Sequence, residues 1–526
     1  VRPAGRARLL AAGLGLAAGV LLAAGWPAPG TALEGSGRVP SSAGPGSSGA
    51  AAPQPATYTP APSAAGVRTP VLGLQAPAVG PTTLADLGTR ATAGYWQGSL
   101  ARVSTNASGA GANGGQIGKW SVSPDGHYVA FWSDATNLVA GVHDGLPHLY
   151  VKGISGTEKG LIGVFDTASD GTLSNGSGGA NAEQVQWRPD GKELLFISEG
   201  TNLVPGLDLP SGPYLYAKSL EDGSTGFIAD GVGDGTWSPN MTWIVFGSRH
   251  DGYCTFVSSS GNPCTHVSDG SYQLYAWKVG TSQYRLVSGD ADGAMPSAIP
   301  DDSYRPVVSP DSRTVAFVSY ARDLVPHDTN SSTDVFLKNL STGAISRGST
   351  TPKGGQANAA SDWPVFNPRN AKQVAFQSDA DNLVRGDGNT DTDIFLKNLG
   401  TGAVRAVSVT KKGRFVISVA GSRAPRFSPD GTRIAYTSRA WNLVPRVDAN
   451  SVDDVYVTTL RTGAVQLVST PPNGKDSNGA STLWGAPGST GGWTKDSRTI
   501  VFASDSTNFP GKDRNAFQAD LFAKHQ

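Results

Sequence analysis

One phrase returns seven times along the chain, and it restricts the fold more than any other feature. It stands as Ser123-Pro124-Asp125-Gly126, Arg188-Pro189-Asp190-Gly191, Ser238-Pro239-Asn240, Ser309-Pro310-Asp311-Ser312, Asn367-Pro368-Arg369-Asn370, Ser428-Pro429-Asp430-Gly431 and Thr494-Lys495-Asp496-Ser497. From Pro124 to Lys495 is 371 residues in six steps, about 62 each. Repetition at such a period marks a repeat architecture, and four-stranded blades usually take roughly 40–50 residues, so long loops are expected.

Each copy has the same anatomy. Two residues before the proline position stands an apolar side chain: Val122, Trp187, Trp237, Val308, Phe366, Phe427 or Trp493. Past the turn comes an aromatic: Phe131, Phe196, Phe246, Phe317, Phe376, Tyr436 or Phe502. Two further on is a serine: Ser133, Ser198, Ser248, Ser319, Ser378, Ser438 or Ser504. Proline presets φ for a turn and glycine tolerates positive φ, so the phrase reads as a hairpin. A third strand follows, as in Leu149-Tyr150-Val151, Val335-Phe336-Leu337 and Ile394-Phe395-Leu396. A Thr-Gly turn, as at Thr401-Gly402 and Thr462-Gly463, then leads to a fourth. Four short antiparallel strands per repeat make a propeller blade. The recurring aromatics are expected to pack between neighbouring blades. In Thr136-Asn137-Leu138-Val139 and its relatives the Asn is expected to cap a turn and the Leu to plug the blade edge.

The seventh copy ends at its third strand, Leu521-Phe522-Ala523-Lys524. Residues 97–104 align with the fourth strand of the sixth copy, 462–469, so the N-terminal strand is expected to complete the last blade. Such closure removes the exposed edges of an open sheet. The expected fold is therefore all-β: a seven-bladed β-propeller over 93–526.

The Ser-Pro-Asp-Gly hairpin, the aromatic second strand and the Asp-Val-Phe-Leu type of third strand resemble the TolB-like, WD-like propeller repeat. The resemblance covers about residues 95–526 and implies a fold. Propellers host unrelated activities, so it implies no single function. TolB carries a separate α/β domain before its propeller, where this chain has a low-complexity segment.

Ahead of the repeats, Arg2, Arg6 and Arg8 precede an apolar run from Leu9 to Trp26, and Gly30 and Ala32 sit two apart. That order reads as a bacterial signal peptide over 1–32, either cleaved or kept as an anchor. Residues 33–92, rich in Gly, Ser, Ala and Pro, read as a flexible linker that cannot bury enough apolar area to order itself. A secreted or surface-tethered monomer is expected. With 42 basic and 42 acidic side chains and no charge block, nothing suggests nucleic acid. No later apolar run is long enough to cross a bilayer.

The loops before the later third strands are rich in oxygen donors: Asp328, Asn330 and Asp334 in the fourth repeat, Asp387, Asn389, Asp391 and Asp393 in the fifth, and Asp448, Asn450 and Asp454 in the sixth. A looser version in the seventh carries Asp513, Asn515 and Asp520. Calcium takes six to eight hard oxygens, and side chains at alternate positions suit it. Asp and Asn also favour turns by bonding their own backbone, so both readings stand. Cys254 and Cys264, ten residues apart, invite a disulfide in an exported protein. Neither a Gly-x-Ser-x-Gly elbow nor a His-Glu-x-x-His helix occurs. His143 and His148 read as a solvated loop pair. The function expected is a scaffold binding a protein or glycan through one rim. The alternative is a polymer-degrading lyase or glycosidase with its site at the central channel.

Overall fold

The computed structural model describes residues 83–84, 99–176, 184–207, 209, 212–249, 271–296, 302–415, 421–445, 450–485, 491–511, 514–515 and 518–526. The expected signal peptide (1–32) and most of the expected linker, both cysteines, Asp448 and Asp513 lie outside them. Among the described residues, no helix is long and apolar enough to cross a membrane.

The strands form seven four-stranded antiparallel sheets. Six are built from consecutive strands, such as Gln116–Val122, Tyr128–Ser133, His148–Gly153 and Ile162–Val164 in blade one. In the seventh, Ser481–Thr482, Thr499–Ser504 and Asp520–His525 are joined by Leu100–Arg102 from the other end of the repeat region. Leu100, Ala101 and Arg102 pair with Lys524, Ala523 and Phe522. Arg102 thus takes the place that Leu467 holds opposite Tyr456 in blade six, the register of the sequence alignment.

Buried apolar side chains gather between blades. Trp132 and Leu149 of blade one meet Phe196 and Tyr216 of blade two in one cluster. Trp120 and Phe131 meet Val501 and Leu521 of blade seven in another. Leu100 joins Tyr436's neighbour Ala435 and Phe502 in a third, between blades six and seven. Every blade also sets its second-strand aromatic against its third-strand aromatic, with ring centroids from 5.7 Å apart for Phe196–Tyr216 to 6.3 Å for Phe502–Phe522. The antiparallel register sets these residues directly opposite, and cross-strand pairs of this kind add about 0.2–1 kcal/mol each.

The hairpin works as its residues suggest. Ser123 Oγ accepts from Tyr128 N at 2.9 Å and donates to Asp125 at 2.5 Å, while Gly126 sits at φ 81°. The Asn of the Asn-Leu-Val phrase departs from the expected cap. Asn137 Nδ2 reaches Gly111 O at 2.9 Å, and its Oδ1 accepts from Asn113 N at 3.0 Å. It therefore clamps the chain arriving at the blade; Asn202 and Asn382 do the same. The adjoining Leu138, Leu203, Leu383 and Leu443 are buried.

Candidate functional site

Two places gather charged side chains: the rim where third strands begin, and the axis where first strands begin.

At the rim, the first residue of the third strand is Asp334, Asp393, Asp454 or Asp520 in blades four to seven, and all four are buried. In each blade a serine beyond the fourth strand donates to Oδ1: Ser349, Ser408, Ser469 or Ser104, at 2.5–2.6 Å. What meets Oδ2 differs. In blade four the Arg347 guanidinium lies 3.2 Å from Asp334 and 3.1 Å from Asp328. Gln356 Nε2 bridges the same two carboxylates at 2.9 Å each, and Asn330 Nδ2 adds a contact to Asp334 at 3.2 Å. In blade seven Arg102, at the strand position of Arg347, lies 2.7 Å from Asp520. There Asn515 turns away to donate to Gly114 O. In blade six Asn450 Nδ2 donates to Asp454 Oδ2 at 3.0 Å and Ser477 to Oδ1 at 3.2 Å, with Leu467 at the arginine position.

Blade five differs from these. Ala406 occupies the position of Arg347. Among the described residues, Asp387 Oδ1 and Asp393 Oδ2 are buried without a geometric hydrogen bond, although the Asn389 side chain is near enough to Asp393 to favour its charged form. Burial raises both pKa values, to about 6 for Asp387 and about 7 for Asp393, where Asp387 and Asp391 add repulsion. The loop is shaped in part by Asn389 Oδ1, which accepts from Asp391 N at 3.2 Å. Among the described residues, no three His, Cys, Asp or Glu side chains converge closely enough to hold a metal by themselves.

Blade one replaces the aspartate with His148, and the expectation of a solvated histidine pair is wrong for it. His143 is exposed, but His148 is wholly buried. Its Nδ1 lies 2.7 Å from Asp166 and its Nε2 3.0 Å from Asp144. Both ring nitrogens face carboxylate oxygens, an arrangement that an imidazolium satisfies with two donors. Burial alone would lower its pKa, but Asp166 and Asp144 more than reverse this and hold it at about 9.

The two ends of the axis differ. At the hairpin end, a cavity of about 350 Å³ is lined by residues of all seven blades, including Pro124, Pro189, Pro239, Pro310, Pro368, Pro429 and Lys495. Among the described residues of that lining, Lys495 is the one ionisable side chain.

The opposite end is charged. First strands bulge there, with register shifts at Tyr304/Val307, Asp362/Val365 and Arg423/Arg426. Arg305, Trp363 and Ala424 occupy the bulges at φ 54°, 52° and 55°, each followed by a proline. A non-glycine residue costs about 1–2 kcal/mol in this conformation, and such strain gathers at functional sites. The bulges bring distant blades together. Trp363 of blade five and Trp484 of blade seven have ring centroids 6.1 Å apart, skipping blade six. Arg305 lies over Trp363 at 4.2 Å and ion-pairs with Asp362, and its backbone N–H donates to Asp234 at 2.6 Å. Arg426, 1% exposed, lies 4.9 Å from the Trp363 ring. It donates to the carbonyls of Pro425 and Gly485, and its Nε has no partner. No carboxylate pairs with it among the described residues. Burial, then the charge of Arg305, lowers its pKa to about 9. Burial raises Asp234, whose Oδ1 is unpartnered.

Sequence reasoning did not find this cluster. The signal was present as Arg305-Pro306, Trp363-Pro364 and Ala424-Pro425, each four residues before the hairpin proline. The proline, lacking an N–H, marks an interrupted ladder.

No family model matches the chain, and no curated protein does. Solved structures do. Oligogalacturonate lyase from Vibrio parahaemolyticus is 14% identical over 82% of this chain and 94% of its own, with a TM-score of 0.45. A puromycin-hydrolyzing peptidase from Mycobacterium tuberculosis is 13% identical over 82% of this chain and 56% of its own, at 0.44. TolB from Acinetobacter baumannii is 15% identical over 67% of this chain, at 0.36. The chain spans 62% of that TolB's length. Likeness at these scores adds nothing to the assignment of a site. The strand order itself defines the class: a seven-bladed β-propeller of four-stranded antiparallel blades.

Proposed function

We propose that this is an exported, non-catalytic propeller that binds an acidic glycan at the charged end of its axis. The export part rests on the Arg2–Trp26 pattern. The binding part rests on one observation above all: Arg426 is a buried cation with no carboxylate partner among the described residues, in contact with Trp363, in a cluster that also presents Trp484 at 41% exposure. The surrounding charges do not cancel it. Arg305 is matched by Asp362, Arg423 and Arg439 share Asp453, and Asp234 is pushed toward its neutral form. An excess positive field beside an open aromatic face suits a pyranose ring bearing a carboxylate or sulfate. Indole faces stack on sugars, and the field adds selectivity for the anion.

A catalytic reading has one observation in its favour. Asp234 combines a raised pKa with an unpartnered oxygen near the Arg305 bulge, which are properties of a general base.

The test is a glycan array probed with the full chain and with Trp484→Ala. Uronate- or sulfate-bearing oligosaccharides should bind, neutral ones should not, and the variant should lose at least tenfold in affinity. Reducing-end assays on the same glycans separate the readings, because new chain ends would establish cleavage and sink the non-catalytic proposal. Capture of no glycan at all would remove both.

A further inference from the structure

We propose that the blade-five loop holds one hard divalent cation, calcium by preference, between Asp387 and Asp393, in the place that the Arg347 guanidinium fills in blade four. The ring supplies its own controls. The same buried aspartate recurs in four blades, and the same serine donates to its Oδ1. Where the fourth strand offers an arginine, that arginine neutralises Oδ2, as Arg347 does for Asp334 and Arg102 for Asp520. Blade six uses Asn450 and Ser477. Blade five has Ala406 instead; Asp393 is 1% exposed with no geometric hydrogen bond to Oδ2 among the described residues, and Asp387, whose buried Oδ1 likewise lacks one, is near enough to act electrostatically on Asp393. Leaving two such oxygens buried and uncompensated is costly, so the fold calls for a positive charge between them.

The donor set selects the ion. Asp387, Asn389, Asp391 and Asp393 offer oxygens, with no thiolate or imidazole in the loop. Side-chain carboxylates alone do not complete a cage. Calcium accepts backbone carbonyls and water at its remaining positions and tolerates irregular geometry, whereas magnesium demands a near-ideal octahedron. The blade-four loop is not assigned a metal, because Arg347 and Gln356 already meet both of its carboxylates.

The experiment is a thermal melt of the full chain in calcium, magnesium and EDTA, with metal content measured after dialysis against calcium. Alongside it stand Ala406→Arg, which installs the blade-four solution, and Asp387→Asn. Calcium should raise the wild-type melting temperature by roughly 3–5 °C over EDTA at saturating concentration. About one calcium should remain per chain. Ala406→Arg should melt in EDTA near the calcium-loaded wild type and gain nothing from calcium. Asp387→Asn should lose the calcium response while staying folded. If the wild type melts alike in all three conditions and retains no metal, the proposal is overturned. If Asp387→Asn keeps the full calcium response, the ion sits elsewhere and the proposal is again overturned. Glycan binding at the axis is read separately, so failure of one idea leaves the other standing.

Discussion

Met241 stands where three other hairpins place a glycine, and it takes φ 59° there. Ser312 and Ser497 occupy the same position at φ 58° and 59°, but each hydroxyl accepts a backbone N–H from the neighbouring blade. Met241 is exposed, and its side chain has no hydroxyl to make such a bond. Met241→Gly should therefore stabilise the chain by about 0.5–1 kcal/mol in urea melts, while Ser312→Gly should gain less or nothing. His148 is the opposite case, a side chain whose removal leaves Asp166 buried and uncompensated. His148→Ala should cost about 3–5 kcal/mol. Its folded pKa is raised, so the imidazolium contributes fully below about pH 6.5 and its stabilisation is lost as pH rises through about 9. A wild-type stability curve that is flat from pH 6.5 to 9.5 and matches that of His148→Ala would refute this. The turn glycines were legible because the turn itself dictates them. His148 was not, because its partner Asp166 lies 18 residues away across the blade.

The third strand carries more than its aromatic. Four residues after its start stands Lys152, Lys218, Lys338, Lys397 or Lys524 in five of the blades. Each ammonium donates to backbone carbonyls of the preceding blade, as Lys152 does to Thr105 and Asn106 and Lys218 to Thr167 and Ala168. These are struts between blades, and burial pulls Lys152 down to about 7 and Lys218 to about 8. Lys218→Met should cost about 1–3 kcal/mol by leaving carbonyls unsatisfied. A lysine at a fixed place in an otherwise apolar strand was visible in the sequence, but its acceptors, about fifty residues back, were not. The blade-five loop makes a pH prediction of its own. Asp387 and Asp393 have raised folded pKa values, so the metal-free fold holds protons that the unfolded chain has released. In EDTA, stability should fall as pH rises from about 4 to about 7, and calcium should cancel the fall. Asp393→Asn should show a smaller fall; an identical profile would contradict the assignment.

At the scale of the molecule, seven interfaces close on one another, the last resting on Leu100–Arg102. Deleting residues 95–105 removes that strand, the Arg102–Asp520 ion pair and the Ser104 hydroxyl that meets Asp520. The product should aggregate, because an unpaired edge and the Phe522 face become exposed. A soluble product with a cooperative melt would contradict this account of closure. Ring number and register could be read from the sequence, since each repeat carries its own copy of the evidence. The axial cluster could not, since Asp234, Arg305, Trp363, Arg426 and Trp484 come from five blades and meet only after the ring closes. The most direct test of the binding account is a calorimetric titration of the full chain with an oligouronate, repeated with Arg305→Gln. The account predicts saturable binding that weakens with salt and falls at least tenfold in the variant. Binding that is indifferent to both salt and Arg305→Gln would contradict it.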